Sequence, residues 1–331
     1  MNLPTPQETT MLSRRELLIS ATALAATGVG RAQTYPSRPI TMIVPFSPGG
    51  AADITARAIS TGLAEVLGQP VVVDNKPGAS GIIGAEAVLA RPADGHTLLL
   101  ASNSVTTGKW LYPRISFDVL KDFRGIGMAL KSPYMAVVAD SFRGHGIQDL
   151  VRWVNERPGS INYATAGSGT GPHLFGEIFQ RQTGTSMVGV PYKGSAPALA
   201  AVLSGEVSVY FDILMSSKGL LASGRLKSLA VSRAERLAQF PAVATFAEQG
   251  IAGLELYSWF GVVAKAGTPG PIVQRLNEAL NQIVQDRRFS ARAVELGATS
   301  VGGSAEAFQA VIERDTALWG QVIREKNIRL E

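Results

Sequence analysis

Ile40 to Gly68 reads I-T-M-I-V-P-F-S-P-G-G-A-A-D-I-T-A-R-A-I-S-T-G-L-A-E-V-L-G, a strand, a glycine turn and a helix in succession. Ile40, Met42, Ile43 and Val44 form a short apolar run rich in β-branched residues, as in a strand covered on both faces. Pro48, Gly49 and Gly50 break the run. The two glycines are free to take φ > 0 and leave no side chain between the backbone and a ligand. Beyond them Ile54, Ala58, Ile59, Leu63, Val66 and Leu67 recur at helical spacing until Gly68 and Pro70 stop the helix. The product is a set of free N–H groups at a helix N-terminus beside the end of a strand, an arrangement that attracts anions. Ser47, Pro48, Gly49 and Gly50 are therefore candidate ligand contacts. Asp53, in the first helical turn, joins them and also complements the helix dipole.

The construction repeats along the chain. Val71-Val72-Val73 reads as a second buried strand, and the glycine-rich turn 74–81 offers Ala79, Ser80 and Gly81 before a helix over 82–90. A third strand over 97–101 ends at Ser102 and Asn103, two further candidates. Residues 112–130 read as irregular. After a strand over 134–139 the pattern restarts with a helix over 147–156 and a strand over 161–165. The turn that follows supplies Ala166, Gly167, Ser168 and Thr170, with His173 opening the next helix. A strand over 187–190 leads to Tyr192, Lys193 and Gly194, and one over 207–211 ends at Asp212. Another strand covers 226–231. Strands alternating with helices at this spacing predict parallel βαβ units with right-handed crossovers, whose ligands collect at the carboxyl ends of the strands. Two such sets facing one another bring all these polar turns to one cleft. The extended run 254–264 reads as a return to the first set, and 269–285 and 305–323 as amphipathic packing helices.

Composition sets bounds on function. The 331 residues are 46% hydrophobic and 17% charged, suited to two globular domains. Cysteine is absent, which excludes disulfides, thiolate metal sites and cysteine nucleophiles. Ser13-Arg14-Arg15 precedes a short apolar segment, and Gly30-Arg31-Ala32 offers small residues for cleavage, so 1–32 reads as an export signal. The paired arginines resemble a twin-arginine signal, with a plain secretory signal as the alternative route. Removing 1–32 takes three basic and two acidic residues and lowers the net charge of +5 by one. No Lys/Arg cluster with interleaved aromatics stands out, so nucleic acid is not an expected partner.

Catalytic constellations are missing. The three histidines, His96, His145 and His173, show no metal-ligand spacing. No G-x-S-x-G occurs, no Lys-Ser/Thr pair follows the glycines of 166–172, and no strand is followed by G-x-G-x-x-G. Asp53 and Asp212, one near each set of turns, are the only carboxylates to consider as an acid/base pair. An exported α/β protein with anion-attracting turns and no catalytic set points to a binding receptor.

Several segments resemble, in order, the Bug-type receptors of tripartite tricarboxylate transporters. They are Tyr35-Pro-Ser-Arg-Pro-Ile40, Pro45-Phe-Ser-Pro-Gly-Gly-Ala-Ala-Asp53, Asn75-Lys-Pro-Gly-Ala-Ser-Gly81, Ala164-Thr-Ala-Gly-Ser-Gly-Thr170 with His173, and Tyr192-Lys-Gly-Ser-Ala-Pro197. Ala266-Gly-Thr-Pro269 and the closing helix with Trp319 extend the match across the mature chain. The resemblance implies a two-lobed periplasmic-binding-protein fold of type II. Lobe 1 would be 33–133 with 256–331 and lobe 2 134–255, joined by two crossing hinge strands. It also implies a monomer without cofactor that takes an organic carboxylate to a membrane permease. Backbone groups and water at the turns of both lobes would hold the carboxylate. The alternatives are an exported hydrolase or lyase acting on small carboxylates, and a receptor presenting its ligand to a sensor kinase. Ile82 stands where a polar residue is common in the family, a departure that bears on ligand choice. Lys265 and Asp315 depart too, in places that bear on packing.

Overall fold

The computed structural model describes residues 35–112 and 115–325; residues 1–32, read above as an export signal, lie outside them. From Arg38 onward, strands and helices alternate. β1 (Ile40–Val44), α1 (Ala51–Leu67), β2 (Val71–Asn75), α2 (Ile82–Leu89) and β3 (Thr97–Ser102) form the first run. Three short helical turns, Asn103–Thr106, Gly108–Leu111 and Val119–Asp122, lead into β4 (Phe123–Ala139), the longest strand. The second run is α3 (Ile147–Asn155), β5 (Asn162–Thr165), α4 (Gly171–Thr183), β6 (Val188–Pro191), α5 (Ser195–Ser204), β7 (Val209–Ile213), α6 (Leu214–Ala222) and β8 (Leu226–Val231). β9 (Tyr257–Lys265), α7 (Gly270–Gln285), α8 (Arg287–Glu295), β10 (Thr299–Ser300) and α9 (Ala305–Glu325) complete the chain.

The two halves of the sheet have the same plan. β2, β1 and β3 are parallel, and β9 joins β3 antiparallel. On the other side β6, β5 and β7 are parallel, and β4 joins β7 antiparallel. β4 belongs to both halves: Phe123 to Pro133 pair with β9, and Tyr134 to Ala139 with β7 and β8. The fold is that of a two-lobed periplasmic binding protein, each lobe a sheet flanked by helices. At the crossing, the Ser232 hydroxyl accepts from the Tyr134 amide at 2.7 Å and donates to the Leu256 carbonyl at 2.6 Å. One side chain thus ties the outgoing strand to the returning segment.

Three differences from the sequence expectation have physical causes. β2 is an edge strand rather than a buried one, with Val72 54% exposed, and β6 at the opposite edge leaves Val188 52% exposed. The latter part of the stretch read as irregular, from Phe123 onward, is β-strand. Gly125 and Gly127 broke the pattern there because helices lie directly on the strand. A Cβ on Gly127 would sit 2.9 Å from Leu280 of α7, and one on Gly125 3.3 Å from the Gln309 amide of α9. α6 was not anticipated because it follows β7 with no intervening turn residue.

Each lobe has its own core. Ile43, Leu99, Trp259, Val263 and Phe308 belong to the first, and Val137, Ala164, Val202, Tyr210 and Leu226 to the second. A third apolar cluster joins the halves: Leu111 from the first run meets Leu174 of α4, with Trp319 and Ile323 of α9.

Candidate functional site

The turns read from the sequence meet where the two halves face each other. Gly50 precedes α1, and a Cβ on it would lie 3.4 Å from the amide nitrogen of Ser195, the first residue of α5. Reciprocally, a Cβ on Gly194 would lie 3.4 Å from the Ser47 amide. Gly49 carries the left-handed backbone of this turn at φ +83, whereas Gly50 is extended at φ −86, so Gly50 is needed for clearance and not for its dihedral freedom. Several hydrogen bonds cross the junction, three of them beside these turns. The Ser47 amide donates to the Lys193 carbonyl at 3.0 Å, the Ala51 amide to Ser216 Oγ at 3.0 Å, and Thr107 Oγ1 to the Gly169 carbonyl at 2.8 Å.

Between these contacts lies a small cavity of about 30 Å³, room for a water or two. The first turns of α1, α4 and α5 line it through Ala51 and Ala52, Gly171 and Pro172, and Ser195. Phe46, Ile213, Ser258 and Phe260 close the wall, with the predicted Gly50, Ser102, Ala166 and Thr170. The amides of Ala52, Gly171 and Ser195 make no hydrogen bond among the described residues, as expected of first-turn N–H groups. Three positive helix ends therefore converge on one small volume, and no charged side chain lines it.

Other predicted residues hold this geometry from behind. Asp53 is buried; its Oδ2 accepts from the Gly49 amide at 3.0 Å and Arg57 Nε at 2.9 Å, and Oδ1 from Asn75 Nδ2 at 3.1 Å. Burial would raise its pKa, but the Arg57, Gly49 and Asn75 hydrogen bonds outweigh it and hold the carboxyl below its usual range. The side chain fixes the glycine turn. His173 Nδ1 accepts from the Gly169 amide at 3.0 Å, and its ring lies parallel to Tyr163. Burial lowers its pKa despite the nearby Glu177, so the ring is neutral and caps its own turn. Asn103 Oδ1 accepts from Ser258 Oγ and the Trp259 amide, tying β3 to β9. The Tyr192 hydroxyl donates to Glu206 at 2.7 Å. Pro48, Gly49 and Ala79 lie exposed on the rim, and Ser168 is half-buried.

Asp212 is fully buried at the end of β7, one residue before the cavity-lining Ile213. Ser217, the Ile213 amide, Ser195 and Tyr210 surround it, yet neither carboxylate oxygen completes a hydrogen bond of normal geometry. Burial pushes its pKa up to about 7.

Lys193 contributes its carbonyl to the junction while its side chain is exposed. Lys193→Ala is therefore expected to weaken ligand affinity less than about threefold, as for a solvated rim charge. Calorimetric titration of both proteins checks this.

Sequence reasoning missed Ala51, Ala52, Ser195 and Ser216, together with Thr107. Ala51, Ala52 and Ser195 directly follow the turns at Gly50 and Gly194 and were within reach of the same argument; Thr107 and Ser216 carry no local signal. No group of metal-binding side chains occurs among the described residues.

A two-lobed binding-protein fold whose helix N-termini meet at the lobe junction defines a class of solute receptor. Residues 55–328 match the tripartite tricarboxylate transporter family receptor, and the chain belongs to that family. It is 35% identical to Protein BugT of Bordetella pertussis over 322 residues, covering 96% of this chain and 99% of BugT. Among solved structures, the periplasmic binding protein BugD superposes with a TM-score of 0.85 at 31% identity, over 89% of this chain and all of BugD. Rpa4515 of R. palustris, solved with adipate, superposes with a TM-score of 0.86 at 35% identity, over 89% of this chain and all of that one. Membership of this family implies an exported, periplasmic protein.

Proposed function

We propose that this chain is the receptor that captures a small organic carboxylate between its lobes and delivers it to a tripartite tricarboxylate-type membrane permease. The observation that carries this is the convergence of three helix N-termini, from both lobes, on a cavity without a charged side chain. A carboxylate there receives backbone N–H groups and helix dipoles, and water fills the remaining positions. The lobes are 33–133 with 256–331, and 134–255; the change of pairing partner between Pro133 and Tyr134 supports that division. The site binds without turnover: Asp53 is engaged in holding its turn, His173 caps another, and no base–nucleophile pair faces the cavity. Residues 1–32 direct export, with Arg14-Arg15 favouring the twin-arginine route. No described helix is long and apolar enough to cross a membrane.

A thermal-shift screen of mono-, di- and tricarboxylates, aromatic acids and acidic amino acids tests the reading. A ligand at 100 times its Kd adds about 2.7 kcal/mol to stability. A screen in which no carboxylate stabilises the protein contradicts it. So does recovery of the tightest ligand in chemically altered form.

A further inference from the structure

A second chamber of about 20 Å³ adjoins the first, the two sharing Ser102 in their walls. Its lining carries hydroxyls, from Ser80, Ser104, Thr107 and Tyr112, and apolar side chains, from Ile82, Leu99, Val105 and Phe117. The hydroxyls are mostly engaged with one another. Tyr112 donates to Ser80 Oγ at 2.8 Å, Ser102 and Ser104 share a bond at 3.0 Å, and Thr107 donates to backbone carbonyls. The rim is held in an unfavourable backbone, with Ala79 at φ +46 and Ser80 at φ +53. Such strain persists only where neighbours over-determine it. Here the Tyr112 hydrogen bond supports it from one side and the close approach of Gly167 from the other, where a Cβ would lie 2.8 Å from Ser80 Oγ. The chamber is thus a constructed wall at the lobe junction and more than a gap in the core.

We propose that this chamber receives the far end of the ligand and selects a short, uncharged one. The preferred ligand is a monocarboxylate with an aliphatic tail bearing at most a hydroxyl or carbonyl group. The inference rests on the carboxylate occupying the cavity at the three helix ends. A second carboxylate in the chamber would lose its water against a wall with no charged side chain, where Ser80 and one hydroxyl of the Ser102–Ser104 pair are the side-chain donors left. An ammonium would find no carboxylate there. A methyl or ethyl end loses nothing against Ile82 and Phe117, and Ser80 is in the same wall to meet a hydroxyl. Ile82, the first residue of α2, is one of the apolar side chains of this wall.

Calorimetric titration with three acids of one carbon skeleton isolates the chamber: 2-hydroxybutyrate, malate and 2-aminobutyrate, with adipate as a longer dicarboxylate. We expect 2-hydroxybutyrate to bind at least about tenfold more tightly than the other three. Malate or adipate binding more tightly than 2-hydroxybutyrate overturns the proposal and leaves the carboxylate-receptor reading intact. No binding by any of the four, or by any acid of the wider screen, overturns both. Ile82→Lys places a cation in the wall and is expected to reverse the preference towards malate. An unchanged ratio in that variant, with its thermal melt showing a folded protein, also overturns the proposal.

Discussion

Gly50→Val is expected to fold normally and to lose about 100-fold or more in ligand affinity. The backbone of Gly50 is extended, at φ −86 and ψ 176, which a valine adopts without strain. Opposition comes from the other lobe, where Ser195 Cβ and N lie 3.4 Å from the new Cβ and Ala196 N 3.6 Å. A Cβ alone is tight there, and the two γ-methyl groups beyond it have no space against a helix backbone. The lobes can then meet only by displacing α5 from its position over the cavity. If the closed form falls to about 1% of the population, apparent affinity falls about 100-fold. Gly49→Val acts differently: φ +83 makes it a strain within the turn itself, while its Cβ has 3.7 Å to Ala196. Titration with the tightest ligand, beside a thermal melt without ligand, separates the two effects. Undiminished affinity in Gly50→Val contradicts the site as described.

The second large effect is expected at Asp212, in the dependence of stability on pH. Burial without a partner raises this carboxyl to about 7 from the ordinary 3.8. The folded state therefore binds a proton that the unfolded state has released. Stability contributed by the neutral acid is present in full below about pH 4 and is lost as pH rises through 7. A shift of about three pKa units corresponds to about 4 kcal/mol across that window. Asp212→Asn carries no titrating proton, so its stability profile should lack this decline. Denaturant unfolding of both proteins at pH 5, 6, 7 and 8 gives the comparison. The other titrating groups are common to both, so the difference curve isolates Asp212. A flat difference between pH 5 and 8 would show that the carboxyl is not titrating there.

Much of the architecture was legible because each βα unit announces itself twice, by a β-branched run and by the glycine that ends it. Ile40–Val44 and Ala51–Leu67 are the clearest case. Legibility fails where packing sets the local sequence. Gly125 and Gly127 look like breakers in a strand because Gln309 and Leu280 occupy the space their side chains would need. The turns at the site were legible for the same reason as the strands, since each needs glycine or a small polar residue. The direction in which a turn residue points was not. Gly50, Ser102, Ala166 and Thr170 reach the cavity wall, whereas Asn103 and His173 bond to scaffold backbone and Tyr192 to surface Glu206. Contacts that close the lobes leave no local trace at all. Thr107 and Gly169 are 62 residues apart, and Ala51 and Ser216 are 165 apart.

Those closing contacts define the central claim, that the ligand is captured between two lobes that come together around it. Ser47–Lys193, Ala51–Ser216 and Thr107–Gly169 bridge the lobes beside cavities of about 30 and 20 Å³, room for a few waters, so a larger ligand is admitted when these contacts part. A carboxylate that engages first-turn amides of both lobes gains contacts available only in the closed form, and so shifts the population towards it. The motion is a hinge where β4 and the segment before β9 cross, at Tyr134 and Leu256 beside Ser232. Small-angle X-ray scattering with and without saturating ligand measures this directly. The account predicts a smaller radius of gyration with ligand than without; a radius unchanged at saturation, with binding confirmed by calorimetry in the same buffer, would contradict it.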